Sequence, residues 1–237
     1  MTDMKLFKKT NDCTAVIVAA GSSTRMGTDK TFLTLGGCPV ILRTLRVFEA
    51  SPEIGEIIVV TRRESLEKMA ELVSENSLKK VKKIIEGGKT RSESVLAGVS
   101  AAGRKAKLIA VHDGARPFVT EELIAGCVGA AAECGAAVPG IAVTDTLKQA
   151  ENGFISGEAD RDSLFRIQTP QVFQADLLKG ALTNAVGRGL TLTDDSSAAV
   201  LMGMKVKLVP GDEDNIKLTG PKDLRYGEFI LRERGES

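Results

Sequence analysis

Five short apolar runs, each separated from the next by a stretch of helical character, constrain this chain more than any other feature. They occupy residues 15–18, 57–60, 81–85, 108–111 and 136–143, and are rich in Val and Ile. Short runs of this kind, bounded by small or turn-forming residues, read as strands buried on both faces of a parallel sheet. Pro39 opens a helix through Ala50, with Val40, Ile41, Leu45 and Phe48 on its core stripe. Residues 64–75 mix acids, Lys68 and apolar side chains at helical spacing, and 121–133 form an Ala- and Gly-rich helix. Thr90 and Glu93 have the spacing of a capping box, so a helix starts there. Strand and helix alternating through short loops predict an α/β fold: a doubly wound, mostly parallel, Rossmann-like sheet.

After residue 143 the rhythm changes. Residues 144–150, a Glu-Asn-Gly turn at 151–153, and residues 154–158 read as a two-stranded hairpin with a polar face. Such a hairpin is marginal by itself and needs something to pack on. It is either a surface excursion or an extended arm, at about 143–162, that embraces a second subunit; the arm is the favoured reading. Residues 174–186, 195–202 and 224–232 read as helices and 206–209 as a further strand. With no repeat or linker in view, residues 1–237 are expected to form one domain carrying that arm.

Composition narrows the function. Thirty-two Lys and Arg against 31 Asp and Glu leave no broad basic field for nucleic acid. With no Trp and one Tyr, there is little to stack bases on. Cys13, Cys38, Cys127 and Cys134 lack Cys-x-x-Cys spacing, and the chain has one His, which argues against zinc and for reduced, mostly buried thiols. No apolar run approaches a membrane span, and residues 1–12 lack the apolar segment of a secretion signal. A soluble, cytoplasmic protein is expected.

In open α/β sheets, ligands bind beyond the carboxyl ends of the strands, and charged and flexible residues gather there. The first strand runs into Ala19, Ala20 and Gly21, then two serines and a threonine, Arg25 and Lys30. Small residues let backbone amides approach a ligand closely, and two cations beside them outline a polyphosphate cradle. The bland alternative is an ordinary strand-to-helix turn with two solvated charges. Neither the Gly-x-Gly-x-x-Gly fingerprint nor the Gly-Lys-Ser/Thr phosphate loop is present, so a nicotinamide-type dehydrogenase is disfavoured. Gly87, Gly88, Arg91 and Ser94 follow the third strand, His112, Asp113 and Arg116 the fourth, and Thr144, Thr146 and Lys148 the fifth. Asp113 reads either as a loop ion-pair partner or as a ligand for Mg²⁺, which in phosphate chemistry is held by one or two carboxylates plus substrate oxygens. His112 reads as a packed strand-end residue. The sequence suggests no Ser–His or Cys–His pair, so positioning and charge neutralisation, not a protein nucleophile, are the expected chemistry.

Several motifs, in order, resemble the 2-C-methyl-D-erythritol 4-phosphate cytidylyltransferase family of the non-mevalonate isoprenoid pathway. They are the loop from Ala19 through Arg25, Asp113-Gly-Ala-Arg116-Pro, Thr144-Asp-Thr-Leu-Lys148, Asp160-Arg161, Thr169-Pro-Gln171, Thr193-Asp194-Asp195 and Asn215-Ile-Lys217. The resemblance implies a CTP-dependent cytidylyltransferase. Ala19, Ala20, Gly21, Gly87, Gly88, Arg91 and Ser94 would hold the nucleotide, and Asp113 would hold Mg²⁺ on the triphosphate. Arg25 and Lys30 would be catalytic, stabilising the α-phosphate and the leaving pyrophosphate. Arg116, Thr146, Arg161, Thr169 and Lys217 would surround the polyol phosphate, with Thr146 and Arg161 reaching across a homodimer from the arm. Ribitol 5-phosphate cytidylyltransferase, and more remotely a non-catalytic CTP-binding module, are the competing expectations.

Overall fold

The computed structural model describes residues 12–21 and 32–236. Strand β1 (Cys13–Val18) is followed by a small hairpin of β2 (Thr34–Leu35) and β3 (Cys38–Pro39). Then come α1 (Val40–Ala50), β4 (Ile54–Thr61), α2 (Leu66–Glu75), β5 (Val81–Glu86) and α3 (Arg91–Ala101). Next are β6 (Leu108–Asp113), α4 (Glu121–Cys134), β7 (Ala136–Ala142) and the arm strands β8 (Lys148–Glu151) and β9 (Phe154–Glu158). The chain closes with β10 (Phe165–Ile167), β11 (Gln171–Gln174), α5 (Ala175–Gly187), α6 (Asp195–Leu201), β12 (Lys207–Pro210) and α7 (Pro221–Glu233).

The main sheet runs β10-β7-β11-β6-β1-β4-β5, with β12 parallel to β7 on that strand's other edge. Strands β6, β1, β4 and β5 are mutually parallel, which is the core that the apolar runs predicted. Alternate side chains of β1 feed opposite layers. Ala15 and Ile17 pack with Ile41, Leu45 and Phe48 of α1 and Ile124 and Cys127 of α4. Val16 packs with Val95 and Val99 of α3 and Leu178 and Leu182 of α5 on the other face. Each fully buried aliphatic side chain contributes about 1.5–3 kcal/mol, so two covered faces explain why the strands carry no polar alternation. Phe118, Leu218, Ile230 and Leu231 join Leu35 and Val40 in a third cluster that seats α7.

The predicted capping box is formed: Thr90 Oγ1 accepts from the Glu93 amide at 3.1 Å, and Glu93 accepts from the Thr90 amide at 3.0 Å. The hairpin at the end of β7 is also formed. Asn152 and Gly153 take positive φ values of 51° and 83°, the conformation that a two-residue hairpin turn requires. Strands β8 and β9 pair only with each other among the described residues, and Lys148 is ion-paired with Glu158. Phe154 and Ile155 are 78% and 73% exposed.

Two strands of the main sheet, besides the small β2–β3 hairpin, differ from the sequence reading. Residues 165–167 and 171–174 show no period of their own, yet they form β10 and β11. Strand β11 is wedged antiparallel between β6 and β7, with Gln171 opposite Val111 and Val172 opposite both Ala110 and Ala137. Neighbouring strands on both sides satisfy its backbone, a tertiary effect that outweighs its weak local preference. The wedge brings the segment before β11 against the end of β6, where the site lies.

Candidate active site at the carboxyl edge of the sheet

The ends of the parallel strands are laced together by backbone. Val18 is in register with Asp113, the Gly114 amide donates to Val18 O at 2.9 Å, and the Ala19 amide donates to Val60 O at 2.7 Å. The Gly87 amide donates to Thr61 O at 2.8 Å, which sets the Gly87–Gly88 loop beside Ala19 and Ala20. A Cβ on Gly87 would stand 2.6 Å from Ala20 Cβ and 2.7 Å from Ser94 Oγ, so the approach is too close for any side chain. Ser94 Oγ accepts from the Gly88 amide at 3.1 Å and donates to Thr90 O at 2.9 Å, fixing that loop on the first turn of α3. Gly21 closes the described part of the first loop; Arg25 and Lys30 lie outside the described residues.

Around Asp113 the structure gathers three cations from distant segments. Lys217 Nζ lies 2.8 Å from Asp113 Oδ2, Arg91 Nη2 lies 3.4 Å from Oδ1, and Arg116 Nε stands 3.8 Å from Oδ2. Burial alone would raise the Asp113 carboxyl, but Lys217, then Arg91 and Arg116, pull it down to about 2. It is therefore a fixed negative charge at neutral pH. Arg116 is held by donation from Nη1 to Asn215 O at 2.7 Å, and burial lowers its guanidinium from the ordinary value. Its Nε is buried without a hydrogen-bond partner among the described residues, because 3.8 Å is beyond bonding range.

His112 is fully buried, with its ring against Phe48 at a centroid distance of 4.9 Å. Its Nε2 is 3.2 Å from Arg116 O, a group that can only accept, so Nε2 carries the proton. Nδ1 is then an acceptor, and Thr169 Oγ1, 3.0 Å away, must donate to it. The same hydroxyl accepts from the Asp113 amide at 3.2 Å. Burial, opposed by the Arg116 carbonyl, lowers His112 to about 4 and keeps the imidazole neutral. Thr169 thus joins the cluster, but its hydrogen bond is given to His112 and its place is to hold the Asp113 backbone. This accords with His112 as a packed strand-end residue and gives that packing a function.

Asp195 stands in one of the motifs that carry the resemblance, but sequence reasoning gave it no role in the site. It accepts a two-pronged bond from Arg91, Nη1 to Oδ1 at 2.9 Å and Nη2 to Oδ2 at 2.8 Å, and is 1% exposed. Gln171, in β11, anchors it: Gln171 Oε1 accepts from the Asp195 and Ser196 amides at 3.1 and 2.9 Å. Gln171 Nε2 donates to Asp194 Oδ2 at 2.9 Å, and Asp194 caps α6 by accepting from the Ser197 amide at 2.9 Å. The signal available in sequence was the acidic pair Asp194-Asp195 at a helix start, which by itself reads only as a cap.

The arm residues lie elsewhere. Thr146 and Arg161 are exposed, and Arg161 Nη1 donates to Thr144 O at 3.0 Å within the arm's own base. Within one chain they take no part in the Asp113 cluster. Among the described residues no group of three His, Cys, Asp or Glu side chains could hold a metal ion. Asp113 offers one ionised carboxylate, and Asp195 is occupied by Arg91. That donor set fits a divalent ion held largely by the oxygens of a bound polyphosphate and does not fit an all-protein cage. All four cysteines are free; Cys13 and Cys127 are buried, and burial pushes both thiols up to about 12. No described helix is long and apolar enough to cross a membrane.

Three cations against two carboxylates leave the cluster with one net positive charge, at the edge where α/β sheets bind ligands. The arrangement can bind and polarise an anionic phosphate; its one hydroxyl–imidazole pair, Thr169 with His112, is buried away from the surface and braces the Asp113 backbone. A family model described as 2-C-methyl-D-erythritol 4-phosphate cytidylyltransferase matches residues 13–233. A protein of that name from Caldanaerobacter subterraneus is 45% identical over 222 residues, covering 92% of this chain and 98% of that protein. Another from Halalkalibacterium halodurans is 41% identical, covering 92% and 96%. Among solved structures, 4-diphosphocytidyl-2C-methyl-D-erythritol synthase from Anaerococcus prevotii superposes with a TM-score of 0.83 at 28% identity, covering 93% and 98%. The 2-C-methyl-D-erythritol 4-phosphate cytidylyltransferase of Thermus thermophilus superposes with a TM-score of 0.77 at 33% identity, covering 92% and 98%.

Proposed function

The chain belongs to the 2-C-methyl-D-erythritol 4-phosphate cytidylyltransferase family, and from that premise we propose that it transfers the cytidylyl group of CTP to 2-C-methyl-D-erythritol 4-phosphate. The products are the CDP-alcohol and pyrophosphate, and the CDP-alcohol is a precursor for isoprenoid synthesis. The observation that carries the reading is the convergence of Arg91, Arg116 and Lys217 on Asp113 beside the Gly87–Gly88 loop. A phosphate oxygen of the alcohol attacks the α-phosphorus in line and the bond to pyrophosphate breaks. The acceptor arrives already anionic, so no side chain has to remove a proton from it.

Ala19, Ala20 and Gly21, with Gly87, Gly88 and Ser94, supply backbone and hydroxyl groups for the nucleotide, and Arg91 its neighbouring charge. Lys217 and Arg116 face the acceptor phosphate. Lys217 can pass from Asp113 to an incoming oxygen, and Arg116 Nε has a donor to give. Arg25 and Lys30 meet charge building on the α-phosphate and leaving group. Asp113 is the carboxylate that would hold Mg²⁺, which would supply further charge neutralisation at the phosphates. The arm makes a homodimer in which Thr146 and Arg161 complete the partner's acceptor pocket, and the enzyme works in the cytoplasm without nucleic acid or membrane.

The test is pyrophosphate release from CTP with each of two acceptors, with and without Mg²⁺. Turnover with 2-C-methyl-D-erythritol 4-phosphate, well above that with ribitol 5-phosphate, is the expected result. Preference for ribitol 5-phosphate would reassign the acceptor. CTP binding with no product from either would identify a binding module instead.

A further inference from the structure

We infer that Asp195 is a positioning residue for the nucleotide: its two-pronged bond holds the Arg91 guanidinium in one orientation at the start of α3 and limits its approach to Asp113 to the longer 3.4 Å contacts. The inference rests on the cytidylyl-transfer reading for its substrate. Four features of the pair support it.

Arg91 is the first residue of α3, where the positive end of the helix dipole disfavours a cation. The Thr90–Glu93 capping box already secures that helix start, so Arg91 is not placed there for the helix. Stability does not account for the pair either. Burying a carboxylate as deeply as Asp195 costs roughly what its ion pair returns. What a two-pronged bond adds is direction, since both atoms of the fork are fixed at once.

The anchor is itself immobile. Asp195 hangs from Gln171, a side chain 1% exposed on a strand hydrogen-bonded to β6 and β7. Competition supplies the last feature. Arg91 lies only 3.4 Å from Asp113 Oδ1, whose other oxygen is bonded to Lys217. Without Asp195, Arg91 would shorten its contacts to Asp113, the negative charge it already touches, and lose the direction that the fork gives it.

Asp195→Asn keeps the side-chain volume and the α6 amide while removing the charge; Arg91→Lys keeps the charge and removes the fork. Each is titrated with CTP by calorimetry as the full chain, and KM is measured for both substrates. Either variant is expected to weaken CTP binding, and raise its KM, by about tenfold or more, the scale of one lost charge-assisted hydrogen bond. The KM for the alcohol phosphate rises less than that for CTP, because Lys217 keeps its contact to Asp113 and Arg116 its bond to Asn215 O. The double variant loses no more than the weaker single variant. Wild-type CTP affinity in a folded variant, additive losses in the double, or both KM values rising equally with a falling thermal midpoint would each overturn the proposal. Arg91→Lys carries the test if Asp195→Asn does not fold. Calorimetry needs no turnover, so a wild-type protein that binds CTP but makes no product refutes the reaction and leaves this test standing.

Discussion

Lys217 donates to Asp113 across 2.8 Å, and of the three cations around that carboxylate its side chain is the most exposed, at 42% against 30% for Arg91 and 12% for Arg116. The pair is therefore poised for exchange: an incoming phosphate can take the ammonium while the two guanidinium groups keep Asp113 compensated. Lys217→Met retains most of the stem and deletes the charge. Turnover should fall by on the order of 10²-fold, as for removal of one preorganised donor. The thermal midpoint should fall only modestly, because Arg91 and Arg116 still compensate the buried Asp113 carboxylate. Pyrophosphate release and a melting curve on the same sample decide it.

His112 makes the protein sensitive to mild acid. Its ordinary value of 6.5 falls to about 4 in the fold, so the unfolded chain binds the proton first. The stability this lowering contributes is complete above pH 6.5 and is lost as pH falls toward 4, an effect on the order of 3 kcal/mol. Asp113, lowered from 3.8 to about 2, extends the loss below that window. Urea midpoints measured from pH 7 to 4 should drop for the wild type and stay flatter for His112→Gln. Parallel curves would refute the assignment.

Gly98 lies where α3 crosses the sheet. A Cβ there would stand 2.4 Å from Val16 Cγ1 and 2.9 Å from Val60 Cγ2, two stiff, buried side chains. Gly98→Ala is expected to destabilise by about 1–3 kcal/mol from overpacking, despite alanine's better helix propensity. A lower urea midpoint with unchanged slope is the expected signature.

Phe154 and Ile155 stand exposed on an arm whose strands pair only with each other among the described residues. Replacing both by Ser should convert a dimer to a monomer in light scattering without lowering the circular dichroism of the main domain. A monomeric wild type would remove the arm's proposed role.

Lys30→Ala is expected to fold normally and to turn over more slowly by on the order of 10²-fold. Unchanged turnover in the purified variant would remove Lys30 from the catalytic set.

Much of this protein was legible before folding. The runs at 15–18, 57–60 and 108–111 named the sheet's core because β-branched burial on both faces leaves a continuous apolar signature. Thr90 with Glu93, and Asn152 with Gly153, named a helix start and a hairpin turn because each is complete within four residues. The edge that holds the candidate site was legible too, since Gly87 follows β5 and Asp113 ends β6.

Pairing was not legible. Nothing local says that Arg91 takes Asp195, that His112 accepts a hydrogen bond from Thr169, or that Gln171 anchors α6 from a strand of its own. Residues 171–174 become β11 only because β6 and β7 offer edges on both sides. Sequence alone settled what is local: periodicity, turns, caps and the supply of charge at strand ends. Tertiary structure alone decided which charge meets which, because a hydrogen bond is set by distance in space, and the chain brings these partners together only after the sheet has formed.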